Sequence, residues 1–309
     1  MRPPPFFKDS VAQKVLEHRT FNARVMGSSP IGVTRNNILE TVLKKKKMKI
    51  LVLPDIHGRK FWKAPCERVD EYDKVIFLGD YMDPYPFEGN SVEDAIANFE
   101  EIIDFAKQHQ DKVVLLLGNH DMPYASDTYY KFSWSHCRHS KKFHNDIASL
   151  FEENKDMFKI AYTVDDILFT HAGCTSDWLI DTFTKDYPVK GEQTLDDLVF
   201  SLNNLLNTKH GLKFLYHVGR ERGGWNKSGS CIWADVYEIK WDVESVKDED
   251  ARVHFIHGVK QVFGHTLQAF EDKEGKLFYG DPIEEDTYKM LDNTHAYELD
   301  TKDFKATML

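Results

Sequence analysis

Five short apolar runs along the chain each end in a short polar tip. Each tip contains a glycine and at least one Asp, Asn or His. The runs are KILVLPDIHG (49–58), KVIFLGDYMD (74–83), KVVLLLGNHD (112–121), ILFTHAGC (167–174) and QVFGHTL (261–267). Short aliphatic stretches bounded by turn residues are typical of buried strands. Open α/β sheets bind their ligands at the carboxyl ends of such strands, so we expect the polar tips to meet at one sheet edge.

The stretches between these runs predict helices. Residues 91–109 carry apolar side chains at helical spacing, with Ser91 as the N-cap and Asp94 at the capping-box position. Residues 194–207 predict a second helix capped by Thr194. The alternation of strands and helices predicts parallel strands with helices covering the sheet faces. The polar, aromatic segment 124–144 predicts a loop-rich lid or short helices.

Composition narrows the class of protein. The chain has 309 residues, 41% of them hydrophobic, which is enough for one large α/β domain or two small ones. Its net charge of −10 makes nucleic acid an unexpected partner, since a nucleic-acid surface would be basic. Four scattered cysteines without a C-x-x-C pair indicate reduced thiols and a cytoplasmic location. No apolar run approaches the ~20 residues that span a bilayer, so no membrane partner is expected.

The first 47 residues differ from the rest. They are basic, lack a periodic apolar pattern and end in a run of lysines before Met48. One hypothesis is that Met48 is the native start and that residues 1–47 are translated upstream DNA. The alternative is a disordered basic leader. In either case we expect one domain over residues 48–309, with a cap or insert around residues 175–260.

The polar tips have the chemistry of a two-metal site. Asp80 could bridge two cations, because a carboxylate can span ions roughly 3.5–4 Å apart. The expected ligands are Asp55, His57 and Asp80 for the first ion and Asp80, Asn119, His171 and His265 for the second. Mixed imidazole and oxygen donors suit divalent transition metals, of which manganese is expected first and iron, zinc or nickel are alternatives. Paired cations acidify a bridging water towards hydroxide and neutralise phosphoryl oxygens.

A leaving oxygen also needs a proton. His120 lies next to a predicted ligand in the sequence but is spare for coordination, so we expect it to be the general acid. Asp121 is expected to orient the His120 ring, and Asp83 to be a supporting carboxylate.

The motifs DIHG, GDYMD, GNHD, THAG and GHT resemble, in the same order, those of the calcineurin-like metallophosphoesterases. The likeness is greatest to the branch of phosphoprotein phosphatases and bacterial diadenosine tetraphosphatases. MLDNTH (290–295) is similar to that branch's IDTGA strand, although the glycine is missing. The resemblance covers about residues 48–299 and implies a four-layer α/β/β/α sandwich. It also implies the six metal ligands named above, with His120 and Asp121 as the catalytic pair.

Two departures from the family pattern matter. The protein-phosphatase branch has GDYVDRG, whose arginine grips phosphate, but here Pro84 follows Asp83. Arg220 and Arg222 are the expected substitutes, because arginine binds phosphate through two parallel hydrogen bonds. Nuclease members commonly have GHxH, whereas here Leu267 stands in place of the second histidine.

These features predict a bimetal hydrolase of a phosphate monoester or phosphoanhydride, similar to protein phosphatases or dinucleoside polyphosphatases. Its substrate would be a phosphorylated small molecule, a nucleotide or a phosphoprotein. A phosphodiesterase or nuclease is one alternative, which the missing second histidine and the acidic charge disfavour. A catalytically silent binding scaffold is another, and the complete ligand set disfavours it. The sequence makes no prediction of the oligomeric state.

Overall fold

The structure is a computed structural model of the chain. It describes residues 47–133, 137–183, 194–245, 259–266, 269–271, 277–279 and 283–309. The predicted leader lies outside the described residues except for Lys47. A cap around residues 175–260 stays a prediction, because 184–193 and 246–258 also lie outside them.

The strands follow one another as the apolar runs predict. They are Lys49–Leu53 (β1), Lys74–Phe77 (β2), Val113–Leu116 (β3), Phe158–Lys159 (β4), Ala161–Val164 (β5), Ile167–Thr170 (β6), Lys260–Phe263 (β7), Ala269–Glu271 (β8), Leu277–Tyr279 (β9), Ile283–Glu284 (β10), Tyr288–Met290 (β11), Tyr297–Asp300 (β12) and Lys305–Met308 (β13). Each of the five apolar runs coincides with a strand, and each strand ends before the polar tip of its run.

The helices occupy the connections between strands. They are Lys63–Cys66 (α1), Val92–Gln108 (α2), Met122–Ala125 (α3), Asp127–Ser133 (α4), His144–Glu153 (α5), Ser176–Phe183 (α6), Leu195–Asn204 (α7), Lys209–Leu215 (α8) and Val236–Ser245 (α9). The predicted capping box from Ser91 to Asp94 is present at the start of α2, and Thr194 caps α7 as predicted, in a second capping box with Asp197. The predicted lid contains short helices.

Two mixed sheets carry the fold. The first has the order β13-β12-β1-β2-β3-β4, and the second has the order β10-β11-β7-β6-β5. Strands β1 to β4 are parallel to one another, and β6, β7 and β11 are parallel in the second sheet. The tips of β1, β2 and β3 therefore lie along one edge of the first sheet. Strands β8 and β9 form a separate two-stranded sheet.

The two main sheets pack face to face. Successive strand residues point to opposite faces, so Ile50 and Val52 of β1 belong to the buried cluster that includes Phe169 of the second sheet. Their neighbour Leu51 belongs to a different cluster, which includes Phe99 of helix α2. The first sheet is thus covered by helices on one side and by the second sheet on the other.

A fourth layer covers the second sheet. Phe263 of β7 and Tyr288 of β11 form a cluster with Val236 and Ile239 of helix α9. The expected four-layer α/β/β/α sandwich is confirmed. No helix within the described ranges combines the length and apolar character needed to cross a bilayer.

Candidate metal centre

The polar tips of both sheets meet in one buried site. Strands β1, β2 and β3 of the first sheet and β6 and β7 of the second deliver the expected ligands. These ligands, with exposed fractions of 8% or less, are Asp55, His57, Asp80, Asn119, His171 and His265. Burial of so many polar groups is costly unless partners or cations compensate them.

Two groups of donors in this site are close enough to hold metal ions. The first is His57, Asp80 and His120, and the second is Asp80, His171 and His265. The ligand atoms within each group lie within 4.8 Å of one another. Asp80 belongs to both groups, as expected for a bridging carboxylate. The first group differs from the expectation, because it contains His120 and does not contain Asp55.

The His171 ring is held by the main chain. Its Nδ1 donates a hydrogen bond to the Leu78 carbonyl oxygen at 3.0 Å, which turns Nε2 towards the site. This Nε2 lies 3.0 Å from Asn119 Oδ1, 3.0 Å from His265 Nδ1 and 3.4 Å from Asp80 Oδ2. Three potential ligand atoms of other residues thus lie within 3.4 Å of Nε2, where a proton or a cation can join them.

His57 is oriented in the same way. Its Nδ1 donates to the Met82 carbonyl oxygen at 2.7 Å, and its Nε2 lies 3.4 Å from Asp80 Oδ2. Such outer hydrogen bonds fix the tautomer of metal-binding histidines. Asp55 lies nearby, since its Oδ1 accepts the His265 amide at 3.0 Å and is 3.7 Å from His171 Nδ1.

The electrostatics of the site fit bound cations. Burial would lower the pKa of His171, but the carboxylates of Asp80 and Asp55 raise it to about 9. A proton on Nε2 therefore compensates these carboxylates where a metal ion could. Burial lowers the pKa of His57 and of His265 well below the usual value, which leaves both rings neutral and able to coordinate.

Asn293 is a polar side chain of the site that sequence reasoning missed. It is fully buried, and neither its Oδ1 nor its Nδ2 has a hydrogen-bond partner among the described residues. A Cβ built on Gly264 would lie 3.5 Å from Asn293 Oδ1 and 2.7 Å from Asp55 Oδ1, so this amide lies beside the metal centre. A buried amide without a partner is costly, and a water or ligand oxygen bound in the centre would satisfy it. The donor set therefore fits a pair of divalent cations.

The backbone at the strand tips is strained. His57, Asp80, Asp83 and His265 have φ values of 44°, 53°, 58° and 66°, in the left-handed region that side chains rarely adopt. Such strain persists where the surrounding structure imposes it, and it is concentrated at functional sites. Gly118 is required for lack of space, because a Cβ at this position would overlap the Asp80 carboxylate.

Asp83, and not Asp121, orients His120. His120 Nδ1 lies 2.8 Å from Asp83 Oδ2, and the other Asp83 oxygen accepts the Tyr124 hydroxyl at 2.6 Å. The expectation that Asp121 holds this ring is wrong. Both Asp121 oxygens instead accept backbone amides, those of Asp80 at 2.6 Å, Gly118 at 2.9 Å and Tyr81 at 2.8 Å. Asp121 thus fastens the loop that carries Asp80.

The two arginines expected to grip phosphate differ in position. Arg222 Nη2 donates to the Thr266 hydroxyl at 2.8 Å and lies 3.5 Å from the His265 carbonyl oxygen, at the border of the centre. Its Nε lies 3.0 Å from Asp235 Oδ2, so its charge is already paired. Arg220 is exposed in the same short 3₁₀ turn. The structure brings only Arg222 to the site.

The comparisons with known proteins agree with this geometry. The profile of the calcineurin-like phosphoesterases matches residues 48–269, most of the chain. The chain belongs to this family. Its resemblance to the family, inferred from the five motifs, is thereby confirmed. Membership and the two donor groups support a metal-dependent phosphoesterase with a dinuclear centre.

Two further comparisons concern a solved structure and the curated proteins. The crystal structure of a candidate diadenosine tetraphosphatase is 12% identical, with a TM-score of 0.41 over 85% of this chain and 93% of that chain. No curated protein matches the chain significantly.

Proposed function

We propose that the chain is a bimetal hydrolase that cleaves a phosphate monoester or a phosphoanhydride. The observation that carries this proposal is the position of Asp80. Its carboxylate is shared by two donor groups, and its Oδ2 lies 3.4 Å from both His57 Nε2 and His171 Nε2. Next to it stands His120, which is paired with Asp83.

We propose the same ligands for the two cations as the sequence predicts. Asp55, His57 and Asp80 would hold the first ion, and Asp80, Asn119, His171 and His265 would hold the second. Two bound cations would acidify a water and neutralise the phosphoryl oxygens. Manganese is the ion that we propose first for this mixed donor set, with iron, zinc and nickel as alternatives.

His120 is proposed to protonate the leaving oxygen. Its Nδ1 faces Asp83 at 2.8 Å, so the proton available for transfer is on Nε2. Asp83 stabilises the charged ring and is itself held by the Tyr124 hydroxyl. The same ring also belongs to the first donor group, so coordination by His120 is the competing role.

The substrate that we propose is a phosphorylated small molecule, a nucleotide or a phosphoprotein. The net charge of −10 disfavours a nucleic-acid backbone. All four cysteines are free thiols, as we expect of a cytoplasmic protein.

Metal removal tests the proposal. The full chain would be stripped with a chelator, reloaded with Mn²⁺, and assayed with p-nitrophenyl phosphate while its metal content is measured. We expect activity to be lost on chelation, to return with about two Mn²⁺ per chain, and to be absent in Asp80→Asn. Asp70→Asn is the matched control, because the Asp70 side chain is 97% exposed. Full turnover in the stripped protein would refute the proposal.

A further inference from the structure

In the part of the chain that the structure describes, three arginines contact residues of the metal centre, and two of them already pair with carboxylates. Arg59 is 9% exposed and donates two hydrogen bonds to the Glu88 carboxylate, at 2.9 and 2.8 Å. Its Nη1 donates to the carbonyl oxygens of Asp55 and Asn293. Arg222 is paired with Asp235, as described above. Neither guanidinium is free to bind a substrate anion without giving up a carboxylate.

The third arginine, Arg138, is different. Its Nη2 donates to the Asp83 carbonyl oxygen at 2.9 Å and lies 3.5 Å from His57 Nδ1. Within the described part of the chain it forms no ion pair with a carboxylate, and its side chain is exposed. Among the described residues its polar contacts use only Nη2, which leaves the Nη1 and Nε donors for another acceptor.

The surroundings of Arg138 fix its position. Its guanidinium lies 3.7 Å from the centroid of the Tyr85 ring, a cation–π contact that orients the planar group. The segment around it is anchored on both sides. Cys137 Sγ donates to the Asn119 carbonyl oxygen at 3.3 Å, and the Ser140 amide donates to the Tyr124 hydroxyl at 2.7 Å. A charged and oriented guanidinium, without a carboxylate partner among the described residues, therefore lies beside His57.

We propose that Arg138 binds a phosphate group of the substrate, through the parallel hydrogen bonds that a guanidinium offers to an oxyanion. This inference rests on the proposed function and deepens it, because it assigns the phosphate-binding role to a residue outside the Arg220–Arg222 turn. Position 84 is a proline, which carries no charge, whereas Arg138 brings a guanidinium next to it by donating to the Asp83 carbonyl oxygen. Tyr85 is the positioning residue that holds it there.

The test compares two variants. Arg138→Met keeps approximately the length of the side chain but removes the charge, whereas Arg138→Lys keeps the charge but lacks the two parallel N–H donors of a guanidinium. Arg68→Met is the matched control, since Arg68 is exposed and lies opposite Glu71 on a surface turn. The readouts are KM and kcat for p-nitrophenyl phosphate, the inhibition constant of inorganic phosphate, and bound Mn²⁺ per chain.

For Arg138→Met we expect KM and the phosphate inhibition constant to rise about tenfold or more, since a hydrogen bond to a charged group is lost. Arg138→Lys should lie between this variant and the wild type, because lysine cannot form the bidentate contact. Metal content should not change. Phosphate inhibition within twofold of the wild type in Arg138→Met would overturn the proposal.

Tyr85 provides a second route if Arg138→Met fails to fold. Tyr85→Phe keeps the ring under the guanidinium, whereas Tyr85→Leu removes it, so only Tyr85→Leu should weaken phosphate inhibition. Equal inhibition of both variants would count against the proposal. Calorimetry of inorganic phosphate binding to the Mn²⁺-loaded chain separates this proposal from the proposed function. A wild type without turnover refutes the function, while the difference in phosphate affinity between wild type and variant still decides the role of Arg138.

Discussion

His120 can act in two ways that one substitution separates. The ring lies in the first donor group with His57 and Asp80, and its Nδ1 is 2.8 Å from Asp83 Oδ2. As a general acid it would deliver a proton to the leaving oxygen, and as a ligand it would hold a metal ion. His120→Asn removes the proton donor and keeps a polar side chain of similar width. We expect the variant to retain its metals. Its loss of activity should be larger for esters whose leaving oxygen is more basic.

The size of the effect follows from these roles. General acid catalysis contributes about 10²–10⁴-fold, and its full value applies when the leaving oxygen is a strong base. Turnover of an alkyl phosphate should therefore fall by about this factor, whereas turnover of p-nitrophenyl phosphate should fall far less, because p-nitrophenolate leaves without a proton. Removal of a ligand would instead affect both substrates equally, through metal loss.

The assay measures kcat/KM for a series of phosphate monoesters with leaving groups of increasing basicity, together with metal content. His210→Asn is the matched control, because His210 is exposed on helix α8. A steeper dependence on leaving-group basicity in His120→Asn, at unchanged metal content, is the expected result. An equal loss for every ester, accompanied by loss of one metal ion, would refute the general-acid role and support coordination.

Three further predictions concern the same site. Asp83→Asn should lower kcat for alkyl phosphates about tenfold or more, because a charge-assisted hydrogen bond to His120 is lost, and steady-state kinetics at fixed metal content would show it. Asn293→Ala should weaken metal binding by about 10–100-fold, measured by competition with a chelating dye, if its amide supports a metal-bound group. The pKa of His171 is raised to about 9 in the metal-free protein, above its ordinary value of 6.5. Protonated His171 therefore stabilises the metal-free fold fully below about pH 6.5, and this contribution is lost as the pH rises through about 9. Metal affinity should accordingly increase over this range with proton release, and a pH-independent affinity would contradict that ionisation.

The sequence predicts the positions of the site residues well because they follow from local patterns. An apolar strand that ends in a polar tip needs only its own residues to be recognised, and parallel strands bring their tips together automatically. The capping boxes at Ser91 and Thr194 are equally local. The six expected ligands therefore lie together, as the motifs imply.

The pairing of side chains is less predictable. Asp121 follows His120 directly, yet its carboxylate turns back onto the amides of the Asp80 loop. Asp83, 37 residues away in the sequence, contacts the His120 ring from a position with left-handed backbone. Arg138 reaches the centre from a stretch of the chain that has no periodic signal in the sequence. Such contacts depend on loop geometry, which hydrophobic periodicity does not encode.

The most direct test of the account compares a monoester with a diester. The full chain, stripped and reloaded with Mn²⁺, would be assayed with p-nitrophenyl phosphate and bis-p-nitrophenyl phosphate under the same conditions. We expect a higher kcat/KM for the monoester, because its dianion would bind more strongly to two cations and an arginine. A higher kcat/KM for the diester would contradict it and indicate a phosphodiesterase of the same family.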